Sequence, residues 1–185
     1  MRLFVSVDLP DDLAPAVEGV QDDLRDASGL DFTDPGQAHL TLKFLGEVEP
    51  DRLDAIADAL RGAVEEAGVA PFEARVEGIG AFPSAEYIQV VWLGIGRGSE
   101  EMTRLHEAIE ARTTDLGFDP EDHEFTPHVT LARMNHAGGK ELVQRALLER
   151  EPEIGSMRVE EVRLTESDLG PEGPTYATVE RFPLQ

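Results

Sequence analysis

Residues 39–44 read HLTLKF, and residues 128–133 read HVTLAR. Each runs histidine, apolar residue, threonine, leucine, with the alternation of a half-buried β-strand. Successive side chains of a strand leave opposite faces, so His39, Thr41 and Lys43 share one side and Leu40, Leu42 and Phe44 the other. His128 and Thr130 likewise lie opposite Val129 and Leu131. The apolar sides must cover a core, which leaves the histidine sides to face something else. One histidine in a strand is ordinarily just a half-exposed polar residue. Two copies of one pattern, 89 positions apart, call for a shared explanation.

Working outward, residues 2–9 alternate as a strand, with Leu3, Val5, Val7 and Leu9 on one side. Asp11 is placed to cap a helix carrying Leu13, Val17, Val20 and Leu24. Asp51 is placed to cap a second, carrying Leu53, Ile56, Leu60 and Val64 and stopped by Gly68. Strands over 72–82 and 87–95, a helix over 99–116 ending at Gly117, and the second histidine strand at about 125–133 follow. A short helix at 140–149 and two strands, 157–166 and 175–182, complete the pattern. Strand, helix and motif strand recur in each half of the chain. The expected fold is α+β, with duplicated β-α-β-α-β units forming two pseudo-symmetric lobes. Antiparallel sheets would line a central cleft with helices outside, and residues 1–185 would form one domain.

The chain has 38 acidic and 16 basic residues, a net charge of −22, and no cysteine. Thiolate chemistry and cysteine zinc sites are excluded. MRLFVSVDLP reaches Asp8 too early for a signal peptide, and no apolar run approaches a membrane span. A cytoplasmic monomer is expected. Such charge argues against a nucleic-acid partner at low salt, because phosphate contacts supply most of that affinity. At molar salt the Debye length falls to about 3 Å and the objection lapses. An acidic, lysine-poor, cysteine-free composition suits a halophilic, salt-rich cytoplasm.

Two imidazoles and two hydroxyls brought face to face by duplication suit a phosphate. Hydroxyls donate to non-bridging oxygens, and one histidine acts as base while the other acts as acid. His106, His123 and His136 recur in no motif and are expected in surface or capping roles. Two rivals stand beside an acid–base phosphodiesterase. A metal-dependent phosphodiesterase is weakened by having one histidine per strand and no close His–His spacing. A non-catalytic RNA-end or nucleotide-binding module is weakened because both motifs are intact.

The blocks MRLFVSVDLP, HLTLKFLGEV, GIGAFPS, VVWLGIG, FTPHVTLAR and LGPEGPTYATVERFPL resemble, in order, those of the two-histidine phosphoesterase superfamily. Within it they are most similar to the RNA 2′,3′-cyclic phosphodiesterases once named 2′-5′ RNA ligases. Phe32 departs from the tryptophan frequent there. The resemblance implies cofactor-free, metal-independent opening of a 2′,3′-cyclic phosphate on RNA ends or nucleotides to a 2′-phosphate, with 2′-5′ ligation as the reverse-type reaction. It implies His39 and His128 as the catalytic pair, His39 the acid and His128 the base. Thr41, Thr130 and Arg133 are implied as phosphate contacts. The strand pattern itself adds Phe4, an aromatic on the polar face of the first strand. It is either a stacking surface for a base or a ring packed under a loop. Tyr176 is a similar candidate, and Lys43 is either a source of positive potential in the cleft or a solvated strand-end residue.

The charge generates a first prediction. A net charge of −22 repels itself when unscreened. The thermal midpoint should therefore rise as KCl goes from about 0.1 M to molar concentration. A flat or falling midpoint in scanning calorimetry contradicts the halophilic reading.

Overall fold

The computed structural model describes residues 1–185. Its strands are β1 (Arg2–Asp8), β2 (Leu30–Phe32), β3 (His39–Glu47), β4 (Phe72–Pro83), β5 (Ile88–Ile95), β6 (His128–Met134), β7 (Glu153–Val159), β8 (Glu161–Gly170) and β9 (Gly173–Pro183). The helices are α1 (Ala14–Asp23), α2 (Leu53–Ala67), α3 (Ser99–Asp115) and α4 (Lys140–Glu149). None is long and apolar enough to cross a membrane. The strands form one sheet in the order β7-β4-β5-β6-β3-β1-β8-β9, with β2 added to β6.

That order is symmetric about its middle. The motif strands β3 and β6 meet at the centre, each continued outward by three strands, and one antiparallel residue pair, Leu40 with Val129, joins them. Helices α2 and α3 pack on each other and reach β9 and β3; α1 and α4 cover β4, β6 and β7. The α+β class and the external helices agree with the sequence pattern. The two lobes, however, are not the two consecutive halves of the chain. One lobe takes β1 and β3 from early in the chain and β8 and β9 from late in it; the other takes β4 to β7 from between, with the short β2 added to β6.

Local chemistry explains most boundaries. Leu3, Val5 and Val7 of β1 join Ile56, Leu60 and Val64 of α2 and Met102, Leu105 and Ile109 of α3 in one buried cluster. Gly68, at φ 62°, closes α2 with the left-handed turn that glycine adopts without strain. Asp11 and Asp51 do not cap their helices. Each lies inside a short 3₁₀ turn leading into the helix, and neither side chain makes a cap hydrogen bond. The C-terminal region holds three strands where the pattern suggested two, because Glu153–Val159 pairs with β4 as a separate edge strand.

The decisive departure is a bulge in each motif strand. Ser6 pairs with Thr41 but Val5 with Lys43, so Leu42 is an extra residue. Trp92 pairs with Thr130 but Val91 with Ala132, so Leu131 is the extra residue in the same place of the other lobe. An inserted residue reverses the facing of the residues that follow it, in β3 as far as a second irregularity at Leu45. Phe44 and Arg133 therefore turn to the histidine side, while Lys43 and Ala132 turn to the helices.

Lys43 is accordingly corrected: it does not face the cleft. It is 2% exposed, with Nζ donating to Glu110 Oε1 at 3.0 Å and to the Asp119 carbonyl at 2.6 Å. Burial opposes ionisation of Glu110, but the Lys43 hydrogen bond and the Glu121 amide outweigh it and hold the carboxyl below its ordinary value of 4.5. This contribution to stability is full above the unfolded-state pKa and is lost as pH falls through the lower folded one. Lys43→Met should cost about 3 kcal/mol near pH 7, the low end for breaking a buried pair because Glu110 keeps 20% exposure. The gap from wild type should close as pH falls and the stranded Glu110 is neutralised. Urea unfolding at pH 7 and pH 4 measures both; a loss under about 1 kcal/mol at pH 7 contradicts the account.

Candidate active site

Facing away from the helices, β3 presents His39, Thr41 and Phe44, and β6 presents His128, Thr130 and Arg133. Continued by one residue each way, the antiparallel register of the Leu40–Val129 pair would set His39 across from Thr130 and Thr41 across from His128. In a regular ladder diagonal neighbours lie about 7–8 Å apart. The two imidazoles would thus flank a space of phosphate size, with a hydroxyl beside each.

Both rings are held the same way. His39 Nδ1 is 3.0 Å from the Gln37 carbonyl, and His128 Nδ1 is 2.7 Å from the Thr126 carbonyl, in each case two residues back. A carbonyl only accepts, so each Nδ1 carries a hydrogen and donates it, leaving Nε2 as the nitrogen free for proton exchange. Aromatic rings fix the remaining freedom. His39 lies 4.9 Å from both Phe4 and Tyr176, ring centre to ring centre. His128 lies 4.9 Å from Phe82, edge-on, and 5.9 Å from Trp92. Gly80 opposes Trp92 in the ladder, and a Cβ there would collide with the indole, so glycine lets that ring lie across the strand.

Burial lowers the proton affinity of both histidines below the ordinary 6.5, but their charged neighbours differ. At His39 the Gln37 hydrogen bond and the Asp8 carboxylate work against burial. At His128 only the Thr126 hydrogen bond does so, while the positive charges of Arg133, His123 and His39 add to the depression. Arg133 is also felt by Tyr176 on the other lobe, whose phenol burial pushes up and whose shift Arg133 and Arg2 moderate. The Arg133 charge is therefore felt on both sides of the cleft.

His39, Thr41, His128, Thr130 and Arg133 thus leave the same side of the two central strands, and Tyr176, which retains 36% exposure, lies against His39. Phe4 does face the histidine side, yet at 4% exposure it is a support beneath His39, Phe44 and Tyr176, without an open face for a base. The exposed ring is Phe44, 61% exposed and 6.2 Å from Phe4. Sequence reasoning missed Phe44 because regular alternation assigns it to the core. It also missed Phe82 and Trp92, whose only signal was aromatic residues on the neighbouring paired strands.

His106 is corrected too: it is buried, bonded to the Leu42 carbonyl and stacked on Phe125. His123 and His136 make only local hydrogen bonds, to Asp122 and from the Gly138 amide. Phe32 packs against the core beneath the Arg25 guanidinium, 4.4 Å from its ring centre. No three His, Asp or Glu side chains converge as a ligand set for a metal ion.

The model of the 2′-5′ RNA ligase superfamily matches residues 9–171. A Methanothermobacter thermautotrophicus protein named RNA 2′,3′-cyclic phosphodiesterase is 36% identical over 186 residues, spanning 100% of this chain and 99% of its own. A crystal structure from Thermus thermophilus superposes with a TM-score of 0.80 at 32% identity, over 100% of this chain and 98% of that one. Escherichia coli LigT, solved with 3′-AMP, shares the fold with a TM-score of 0.80 at 22% identity, over 99% and 97% of the two chains. With paired histidine motifs on symmetric strands and matches along its whole length, the chain belongs to the 2′-5′ RNA ligase superfamily of two-histidine phosphoesterases.

Proposed function

We propose that the chain is an RNA 2′,3′-cyclic phosphodiesterase, acting as a cytoplasmic monomer and a single domain over residues 1–185 on RNA ends or nucleotides. The observation that carries this reading is the pair of imidazoles anchored alike through Nδ1, each with Nε2 free and a threonine across from it. Thr41 and Thr130 donate their hydroxyls to the two non-bridging oxygens of the cyclic phosphate, and Arg133 supplies positive charge. His128 Nε2 removes a proton from water as its oxygen bonds to phosphorus. The bond from phosphorus to O3′ breaks, and His39 Nε2–H protonates the departing oxygen. The products are a 2′-phosphate and a 3′-hydroxyl. An RNA 5′-hydroxyl in place of water would leave a 2′-5′ linkage by the same step.

The direction is supported by the unequal surroundings of the pair. Asp8 favours the protonated form of His39, as an acid requires, and Arg133 favours neutral His128, as a base requires. The exposed Phe44 offers a face for a nucleobase, an interaction worth about 1–3 kcal/mol.

Incubation of the purified protein with 2′,3′-cyclic nucleotides in EDTA should yield 2′-monophosphates. His39→Ala and His128→Ala should each lower kcat by at least ~10²-fold with unchanged circular dichroism. A metal requirement, or near wild-type turnover in either folded variant, contradicts the mechanism. Thr41→Ala and Thr130→Ala should be milder, each losing one hydrogen bond to phosphate and neither proton-transfer group.

The pH profile provides a separate check. Activity needs one neutral and one protonated imidazole, so kcat/KM should be bell-shaped with limbs belonging to the coupled pair. Both histidines are lowered, which puts the optimum on the acid side of the ordinary 6.5. Bound phosphate favours imidazolium and should carry the alkaline limb of kcat to higher pH. Asp8→Asn removes the charge that raises His39 and should move the alkaline limb of kcat/KM to lower pH. A kcat/KM still rising above about pH 7 would exclude this assignment.

A further inference from the structure

A bulge releases a backbone carbonyl from its ladder, and a buried carbonyl needs a donor. The carbonyls in question belong to Leu42 and Leu131, each three residues after its motif histidine. In one lobe His106 of α3 donates from Nδ1 to the Leu42 carbonyl at 2.7 Å. Its ring lies flat on Phe125, centres 4.0 Å apart and planes within 6°. In the other lobe Gln21 of α1 donates its amide to the Leu131 carbonyl at 3.2 Å and to the Thr33 carbonyl at 2.8 Å. Thr33 gives the Leu131 carbonyl both its backbone N–H and its hydroxyl, each at 3.0 Å, and the hydroxyl also reaches the Thr130 carbonyl at 3.0 Å.

Unrelated side chains on two different helices thus meet the same carbonyl of each motif. Both are buried, and Gln21 leaves its own Oε1 without a partner. An apolar side chain would fill that space with no unsatisfied oxygen, so the amide donors are what the position supplies.

We propose that His106 and the Gln21–Thr33 pair are positioning residues that hold the two bulges from the helix side. They thereby keep Phe44 and Arg133 turned into the cleft beside His39–Thr41 and His128–Thr130. None of the three touches substrate. Without the bulges, regular alternation would send Phe44 and Arg133 to the helix side and Lys43 into the cleft. The two devices also differ in effect: His106 governs the ring that meets a base, and Gln21–Thr33 governs the cation that meets phosphate.

What the cleft binds rests on the phosphodiesterase reading; the state of the bulges does not. The test uses the full chain as wild type, His106→Leu, His106→Asn, Gln21→Met and Thr33→Val, with 2′-AMP and inorganic phosphate as calorimetric probes. His106→Leu should weaken 2′-AMP about tenfold and phosphate by less than about twofold, since only the nucleotide has a base to stack. His106→Asn, whose amide occupies the Nδ1 position, should restore 2′-AMP binding to within about threefold. Gln21→Met and Thr33→Val should weaken both probes alike. General loosening would lower both affinities in every variant without rescue by asparagine, and that result overturns the proposal, as does wild-type affinity for both probes in folded His106→Leu. If His106→Leu does not fold, Thr33→Val, which keeps the side-chain shape, decides it: unchanged affinity for both probes overturns it. If wild type binds neither probe, the phosphodiesterase reading fails alone. Crystal structures of His106→Leu and Thr33→Val then decide the positioning. Phe44 and Arg133 still facing the cleft overturn it; either one turned to the helix side supports it.

Discussion

The molecule is organised around a single antiparallel residue pair, Leu40 with Val129, both fully buried. Every other strand of the two half-sheets is reached through it. Because each partner directly follows a motif histidine, the register of this pair sets which hydroxyl lies across from which imidazole. A slip by one residue would send both histidines into the hydrophobic cluster and Leu40 and Val129 into the cleft. The burial of Leu40 and Val129 therefore defends the register as much as the core, and the chemistry of the cleft inherits its symmetry from an apolar contact.

What the sequence made legible ends where local rules end. His39, Thr41, His128 and Thr130 precede the bulges, so period-two alternation places them correctly, and repetition marks them as a pair. Lys43 and Phe44 follow the bulge, and alternation puts both on the wrong faces. The bulge depends on partners far along the chain: Glu110 and the Asp119 carbonyl take the Lys43 ammonium, and His106 takes the Leu42 carbonyl. No window around residue 43 contains that information. Arg133 is legible as a cleft residue through family resemblance; alternation alone would have buried it. For Phe4 the pattern gives the correct face but not its depth, since only the fold shows Phe44 and Tyr176 lying over it. The interleaving of the lobes is equally hidden, because helix and strand signals carry no record of which lobe each element joins.

The symmetric scaffold carries an asymmetric site. His39 is framed by Phe4 and Tyr176 near Asp8, and His128 by Phe82 and Trp92 near Arg133. Duplication supplies two equivalent imidazoles, and the divergent neighbours make them inequivalent in charge. A surface as acidic as this one could keep anions out. The aromatic walls and the Arg133 guanidinium give the cleft a local character unlike the chain's net charge of −22.

The interleaved strand order has a consequence for synthesis on the ribosome. β1 (Arg2–Asp8) is made long before its outer neighbour β8 (Glu161–Gly170), so that edge of β1 stays unpaired until β8 emerges. The other lobe has all its strands, β2 and β4 to β7, by residue 159. Tyr176, which closes the aromatic frame of His39, lies on the very last strand. Until β8 is made, a nascent chain therefore exposes an open strand edge, the kind that recruits other chains. It also carries a half-framed histidine, and the cleft is completed only when β9 joins β8 and brings Tyr176 to His39.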